Sequence, residues 1–145
     1  MTFQGNKKLR TYSNVKNFWE NEGKNRGDTP FATIRDHYFR NIEINEIINF
    51  FSKMKTRNLL DIGCGNGFST LFFSKLSKKI LGLDYSEKLI QNAKNLLKKN
   101  ETKQVLKKYS YQSFKPKSKN IKFAVGNILD LSQYENSFDG AICCR

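Results

Sequence analysis

The 145-residue chain contains no apolar run approaching the roughly 18 residues that a membrane-spanning helix needs. Its first ten residues, Met1 to Arg10, lack the apolar stretch of a signal peptide. No membrane association and a cytoplasmic location are the expectations. Cysteine is scarce: Cys64, Cys143 and Cys144 are odd in number and form no CxxC pair. That excludes a disulfide framework and the usual spacing of a zinc site, so no metal is expected. Apolar material is modest at 38%, and alanine is rare, with four residues. The length fits one domain of roughly 100–200 residues, and a chain near this size buries roughly 70% of its unfolded surface, enough for a single core.

Acidic residues are also few, 13 against 26 basic ones, for a formal net charge of +13. Such a balance ordinarily suggests a polyanionic partner. Here the basic residues are 20 Lys and 6 Arg, beside 16 Asn and 11 Ile. That joint rise of Lys, Asn and Ile is what an A/T-rich coding sequence produces. Nucleic-acid readers rely more on Arg, whose planar fork matches phosphate and guanine edges. The charge is read mainly as compositional drift.

There are no internal repeats. Residues 1–29 are polar and rich in Asn, Lys and Gly, with one aromatic pair at Phe18-Trp19, and read as a loose N-terminal arm with one short helix. Asp28-Thr29-Pro30 has the form of a helix start, a capping side chain before a proline. Ile44, Ile47, Ile48 and Phe51 recur at helical spacing, which predicts an amphipathic helix over about 41–54. From there strands and helices alternate. Asn58 to Ile62 is a strand, and Phe68, Leu71, Phe72 and Leu76 follow on one helix face. Ile80 to Leu83 is a second strand, and Ser86 caps a helix whose inner face is Leu89, Ala93, Leu96 and Leu97. Ile121 to Val125 is a third strand, and Phe138 to Cys143 a fourth. This alternation implies βαβ units and a parallel sheet. The connection from Glu101 to Asn120 is too long for a simple loop, and Val105, Leu106 and Tyr109 predict that a helix continues or restarts there. The chain stops at Arg145 just after an apolar strand, which reads as a cut, since native sheets avoid a fresh apolar edge.

The chemistry is concentrated in Asp61-Ile62-Gly63-Cys64-Gly65-Asn66-Gly67, with Asp84 at the end of the next strand, 17 positions after Gly67. Glycines between a strand and a helix let a ligand approach the backbone. The helix N-terminus beyond them offers free N–H groups to an anion. An acidic residue at the end of the second strand suits ribose hydroxyls. A dinucleotide fingerprint, G-x-G-x-x-G, needs glycine at position 68, which is Phe68.

With Asp-x-Gly-x-Gly-x-Gly, Leu81-Gly82-Leu83-Asp84-Tyr85-Ser86, Gly126-Asn127-Ile128 and Ser137-Phe138-Asp139-Gly140, residues 30–145 resemble the class I S-adenosylmethionine-dependent methyltransferases. The resemblance implies an α/β Rossmann-like fold with sheet order 3-2-1-4 present and the C-terminal strands missing. It implies S-adenosyl-L-methionine as cofactor, bound by an incomplete domain over 30–145. Gly63, Cys64, Gly65 and Gly67 would line its methionine and ribose portions, and Asp61 would orient the loop or the cofactor ammonium. Asp84 would hold the ribose hydroxyls and Tyr85 would pack on the adenine. Asn127 stands where the family usually has Asp, yet its amide carbonyl can accept the same bond from the adenine amino group. Ile128 belongs to the same block. The Cys143 carbonyl matches the position that meets the cofactor ammonium. The implied reaction is in-line methyl transfer, in which the protein mainly supplies proximity and orientation. No general base is identifiable.

His37, the one histidine, lies among Arg35, Asp36, Tyr38 and Arg40 on a segment that in this family often closes over the cofactor. The plainer reading is an exposed His among ion pairs. Trp19 reads as an anchor of the arm or part of a lid. Cys143-Cys144 lacks the preceding proline of cytosine-5 methyltransferases, and reads as buried strand cysteine. The Asn/Asp-Pro-Pro-Tyr motif of enzymes that methylate amino groups on nucleic-acid bases would begin near position 144, which is Cys144, so that motif is not evident. From Lys94 to Lys122 there are ten Lys and one Glu, interleaved with Tyr109, Tyr111 and Phe114. A solvated helix face is the first reading of this stretch, and an RNA surface the second. A small-molecule acceptor is therefore the expectation. The alternatives are an RNA methyltransferase using the 94–122 surface, and a non-catalytic cofactor-binding fragment. Aminopropyl transfer shares the fold, and its further acidic residues would lie beyond the fourth strand.

Overall fold

The computed structural model describes residues 11–27, 29–111 and 113–144; the sequence features read at Met1–Arg10, Asp28 and Arg145 lie outside them. Five α-helices are present among these residues: α1 (Tyr12–Arg26), α2 (His37–Ser52), α3 (Phe68–Phe73), α4 (Glu87–Leu96) and α5 (Lys99–Lys108). Four strands, β1 (Asn58–Ile62), β2 (Lys79–Asp84), β3 (Ile121–Val125) and β4 (Gly140–Cys143), form one sheet. Its order is β3-β2-β1-β4 and every pairing is parallel, as the alternating pattern and the family resemblance imply.

The register explains where the core lies. Ile121, Ile80, Leu59 and Gly140 form one row across the sheet, and Phe123, Gly82, Asp61 and Ile142 form another. Leu59, Ile80, Ile121, Phe123 and Ile142 join Phe51 of α2, Leu71 and Phe73 of α3, and Ile90 and Ala93 of α4 in one buried cluster. Burying a side chain of this size contributes roughly 1.5–3 kcal/mol, so this face holds the sheet and helices together. Asp61 is the exception in its row, a carboxyl on the face the core occupies.

Several helices differ from the periodicity reading at their ends, for reasons of capping. α2 begins at His37 because the Asp36 side chain accepts from the Phe39 amide at 3.0 Å, ahead of the first apolar repeat. Thr29 caps a short 3₁₀ turn at Pro30–Ala32, accepting from the Phe31 amide at 3.2 Å. α3 ends at Phe73, and the Ser74 hydroxyl donates back to the Leu71 carbonyl at 2.6 Å. In the long connection a helix does restart as α5, buried through Thr102 and Leu106. Ser86 caps α4 by accepting from the Leu89 amide at 3.1 Å. The stretch read as an arm with one short helix carries the 15-residue α1, which packs on α4.

Candidate functional site

β1 runs into the glycine turn, where Gly63, Gly65 and Gly67 have φ of 72°, 57° and 75°. These left-handed conformations favour glycine. The amides of Gly63 and Cys64 both donate to the Leu83 carbonyl, at 2.8 and 3.0 Å, tying the turn to the end of β2. At Gly65 a Cβ would lie 2.3 Å from the Thr33 methyl, so the turn also fits tightly under the Pro30–Ala32 segment. Asn66 fastens the same segment, donating to the carbonyls of Gly27 at 3.0 Å and Thr29 at 2.6 Å.

Asp84 stands directly across from the turn. One carboxylate oxygen accepts from the Gly65 amide and the other from the Ser86 amide, each at 2.9 Å. A carboxylate oxygen has two acceptor sites, so each keeps one for a ligand hydroxyl. Burial pushes the Asp84 carboxyl up from its ordinary value, the backbone amides of Ser86, Gly65 and Tyr85 pull it back, and the charge of Glu20 adds to the rise.

Two cavities meet at Gly63. The first, about 220 Å³, lies between Ile62, Asp84, Tyr85, Gly126, Ile128, Leu131 and Cys143, with Val15 and Trp19 of α1 over it. The second, about 190 Å³, is lined by Arg40, Asp61, Cys64, Ser69 and Cys144. Trp19, Thr33 and Gly63 line both.

The second cavity holds two buried ionisable groups of opposite sign. Arg40 is 2% exposed. Its Nη1 donates to Ser69 Oγ at 2.8 Å and its Nη2 to Thr33 Oγ1 at 2.9 Å, while the plane lies 5.5 Å from the Phe68 ring centroid. Its Nε–H is buried without an acceptor. Glu43 lines the same cavity, and its charge acts on the guanidinium. Burial lowers its pKa to about 10, a shift the nearby charge of Glu43 opposes. Asp61 accepts from the Thr70 hydroxyl at 2.6 Å. Burial raises its pKa to about 7, against the Thr70 bond and with help from the charge of Asp84.

The structure brings Asp61, Gly63, Cys64, Asp84, Tyr85, Ile128 and Cys143 to these two cavities. Gly65 contributes the amide that fixes Asp84. Gly67 lines neither cavity; a Cβ there would stand 2.4 Å from the Phe123 ring, so its place is one of packing. Asn127 lines neither, and its side-chain carbonyl accepts from the Leu129 amide at 3.0 Å. The Cys64 thiol is pushed well above its ordinary value by burial, the opposite of an activated nucleophile. Tyr85 has its hydroxyl buried without a partner, and burial together with the Asp84 charge raises its pKa to about 12.

Arg40 is the residue that pattern reading passed over as one charge beside His37. It lies four residues before Ile44, in phase with Ile47, Ile48 and Phe51, and a charged residue on the apolar face of a helix is the available signal. His37 itself lines neither cavity. It packs among Phe31, Tyr38 and Tyr111, with Nε2 3.3 Å from Asn41 Nδ2. The aromatics of the Lys-rich stretch turn inward: Tyr109 packs on Phe31, Tyr111 on Phe68 and Phe72, and Phe114 stacks on Phe72.

A family model described as a methyltransferase domain matches residues 53–145. The chain belongs to the class I S-adenosylmethionine-dependent methyltransferases. The methyltransferase chain is 30% identical over 136 residues to a ubiquinone biosynthesis O-methyltransferase of Pelagibacter ubique, covering 92% of this chain and 55% of that protein. It is 36% identical over 87 residues to an uncharacterised methyltransferase of Schizosaccharomyces pombe, covering 59% and 28% respectively. It thus spans about half the length, or less, of these curated relatives. Among solved structures, the N-methyltransferase NodS of Bradyrhizobium japonicum, in complex with S-adenosyl-L-homocysteine, superposes with a TM-score of 0.59 at 21% identity, covering 88% of this chain and 55% of NodS. An S-adenosylmethionine-dependent methyltransferase of Anabaena variabilis gives 0.56 at 19% identity, covering 90% and 47%. These two likenesses support the fold. Among the described residues, no helix of the methyltransferase chain is long and apolar enough to cross a membrane.

Proposed function

We propose that this chain holds S-adenosylmethionine across the Gly63 ridge, adenosine in the first cavity and methionine in the second, for transfer of its methyl group to a small-molecule acceptor. The carrying observation is the pair of cavities meeting at Gly63, one with a fixed carboxylate, the other with a buried guanidinium whose Nε–H has no acceptor. The donors fit the cofactor's groups. The free acceptor sites on Asp84 suit two vicinal hydroxyls. The Arg40 Nε–H, buried and unsatisfied, suits a carboxylate, and Asp61 suits an ammonium. Tyr85 and Ile128 would flank the adenine, and the remaining acceptor site on Asn127 is available to its amino group. The Cys143 carbonyl would join Asp61 at the ammonium, and the Gly63–Gly67 backbone, with Cys64 and Gly65, would wrap the link between the two cavities.

When bound, the cofactor supplies an electrophilic methyl on sulfonium sulfur. This chain's residues fix the two ends of that molecule, so orientation is the contribution derived for them, up to ~7–11 kcal/mol in well-aligned cases. In this reading residues 30–145 form the binding unit and α1 lies over it. A small-molecule acceptor is supported by the Pelagibacter relative, whose name specifies ubiquinone biosynthesis. The RNA alternative gains nothing from Tyr109, Tyr111 and Phe114, which are packed inward.

Calorimetric titration of the chain with S-adenosylmethionine and with adenosine tests the assignment. Wild type is expected to bind both, and Asp84→Ala to lose most of the affinity for each. Arg40→Met removes a charge-assisted contact worth roughly 1.5–3 kcal/mol, about ten- to a hundredfold, for the carboxylate-bearing cofactor only. A folded wild type that binds neither, or an Arg40→Met chain with unchanged cofactor affinity, overturns the reading.

A further inference from the structure

The contacts of α1 are polar and specific. The Glu20 carboxylate accepts from the backbone amides of Glu87, at 2.7 Å, and Lys88, at 3.3 Å. These are the first two residues of α4, whose amides have no partner within their own helix. One turn on, Asn92 Nδ2 donates to the Gly23 carbonyl at 2.7 Å. Gly23 permits this close seating, since a Cβ there would lie 3.1 Å from the Lys88 side chain and 3.2 Å from the Leu89 amide nitrogen. Beyond α1, Asn66 of the glycine turn holds the carbonyls of Gly27 and Thr29. Thus α1 is tied to both loops that carry the cofactor residues. Its residue Trp19, adjacent to Glu20, covers both cavities at once.

From this arrangement we propose that α1 is a strap over the cofactor chamber, that Glu20 is the positioning residue that latches it, and that unlatching limits cofactor exchange. The inference rests on the cofactor assignment above. Glu20 latches only three residues beyond Asp84 in sequence, with the Ser86 cap between, so the ribose carboxylate and the latch share one rigid turn. The helix is predominantly polar and buries Gly23 alone; beside the ring contact of Tyr12 on Tyr85, 5.8 Å between centroids, directional bonds hold it down. Such a contact breaks as a unit. With the latch closed, Trp19 and Val15 cover the route into the first cavity; with it open, both cavities are uncovered together.

The chain has a single tryptophan, so its fluorescence reports the strap alone. Stopped-flow mixing with excess S-adenosylhomocysteine is expected to give a Trp19 signal whose rate levels off with ligand concentration, at the opening rate. Glu20→Ala should raise that plateau, and the rate of release, at least tenfold. Glu20→Gln keeps one carbonyl acceptor and should fall between, which also carries the comparison if the alanine variant does not fold. Lys16→Ala removes the exposed 3.7 Å ion pair between α1 and Glu87 of α4, a solvent-screened contact that contributes little, and should stay close to wild type. Rates that rise linearly with the same slope in wild type and both Glu20 variants overturn the strap while leaving the cofactor site standing. Calorimetric binding without any Trp19 signal does the same. Absence of binding by folded wild type overturns both.

Discussion

Asp61 lies between Gly82 of β2 and Ile142 of β4, in the row of the sheet that faces the core. It is 5% exposed, and Thr70 supplies one hydrogen bond to its carboxyl. Desolvation therefore outweighs that bond and brings its pKa to about 7, against an ordinary 3.8. Between those values the folded chain retains a proton that the unfolded chain has released. Stability from this group is fully present below about pH 4 and is lost as pH rises through about 7. Asp61→Asn cannot ionise and escapes the loss. Denaturation of the ligand-free chain should show the variant gaining on wild type between pH 5 and pH 8, by on the order of 1–3 kcal/mol. A difference that is flat with pH refutes the buried-carboxyl account. Arg40 presents the same situation with the opposite sign, a buried charge whose solvation is incomplete without a ligand. Both groups cost stability in the free chain, and a zwitterionic head group would satisfy both.

At the scale of elements, Asp139 connects the two strands that flank the second cavity. Its carboxylate accepts from the amides of Asn58 at 2.8 Å and Arg57 at 2.7 Å, and its own amide donates to the Asn58 carbonyl at 2.9 Å. The three bonds fix β4 against β1 in the register that pairs Leu59 with Gly140. Because the Asn58 and Arg57 amides favour the charged form, the Asp139 pKa is lowered. Its contribution is present above the ordinary carboxylate range and is lost as pH falls through the lowered value. Asp139→Asn should therefore melt at a lower temperature than wild type at pH 7, with the gap closing toward pH 3. An equal gap at both pH values rules out the ionised latch. The strands and α4 were legible in the sequence because burial itself imposed their apolar spacing, as at Leu89, Ala93 and Leu96. The Asp61–Gly67 and Asp84 blocks were legible because a tight turn and a fixed carboxylate demand particular residue types. α1 was not, since Glu20, Gly23 and the partner Asn92 bind by directional polar contacts that leave no period. Nor was the place of Arg40, which becomes informative only when α2 is seen against the glycine turn.

Across the described residues, the two edge strands of the sheet carry charge unequally. β3 carries Lys122, exposed on the strand, with Lys117 and Lys119 just before it, and edge lysines oppose pairing with another chain. β4, Gly140-Ala141-Ile142-Cys143, has no charge of its own, and Ala141 and Cys143 are exposed; Cys143 and Cys144 are thus not the buried strand cysteines expected from the sequence, since Cys143 alternates to the face opposite the buried Ile142. Uncovered apolar side chains also line the outside of α2, with Tyr38 81%, Phe50 64% and Ile42 60% exposed. Opposing association is the net charge of +13, which acts at a distance and is therefore sensitive to salt. The screening length falls from about 30 Å at 0.01 M salt to about 3 Å at 1 M, while strand pairing and apolar contact are short-ranged and survive. Light scattering of the isolated chain should accordingly show monomers at low salt and growing self-association as salt is raised. Ala141→Lys, which places a charge on the uncharged strand β4, should suppress that growth in the 145-residue chain, whereas Lys103→Gln on the exposed side of α5 should leave it little changed. Association that instead weakens with salt would assign the contact to attraction between charged patches, and β4 would not be the adhesive edge.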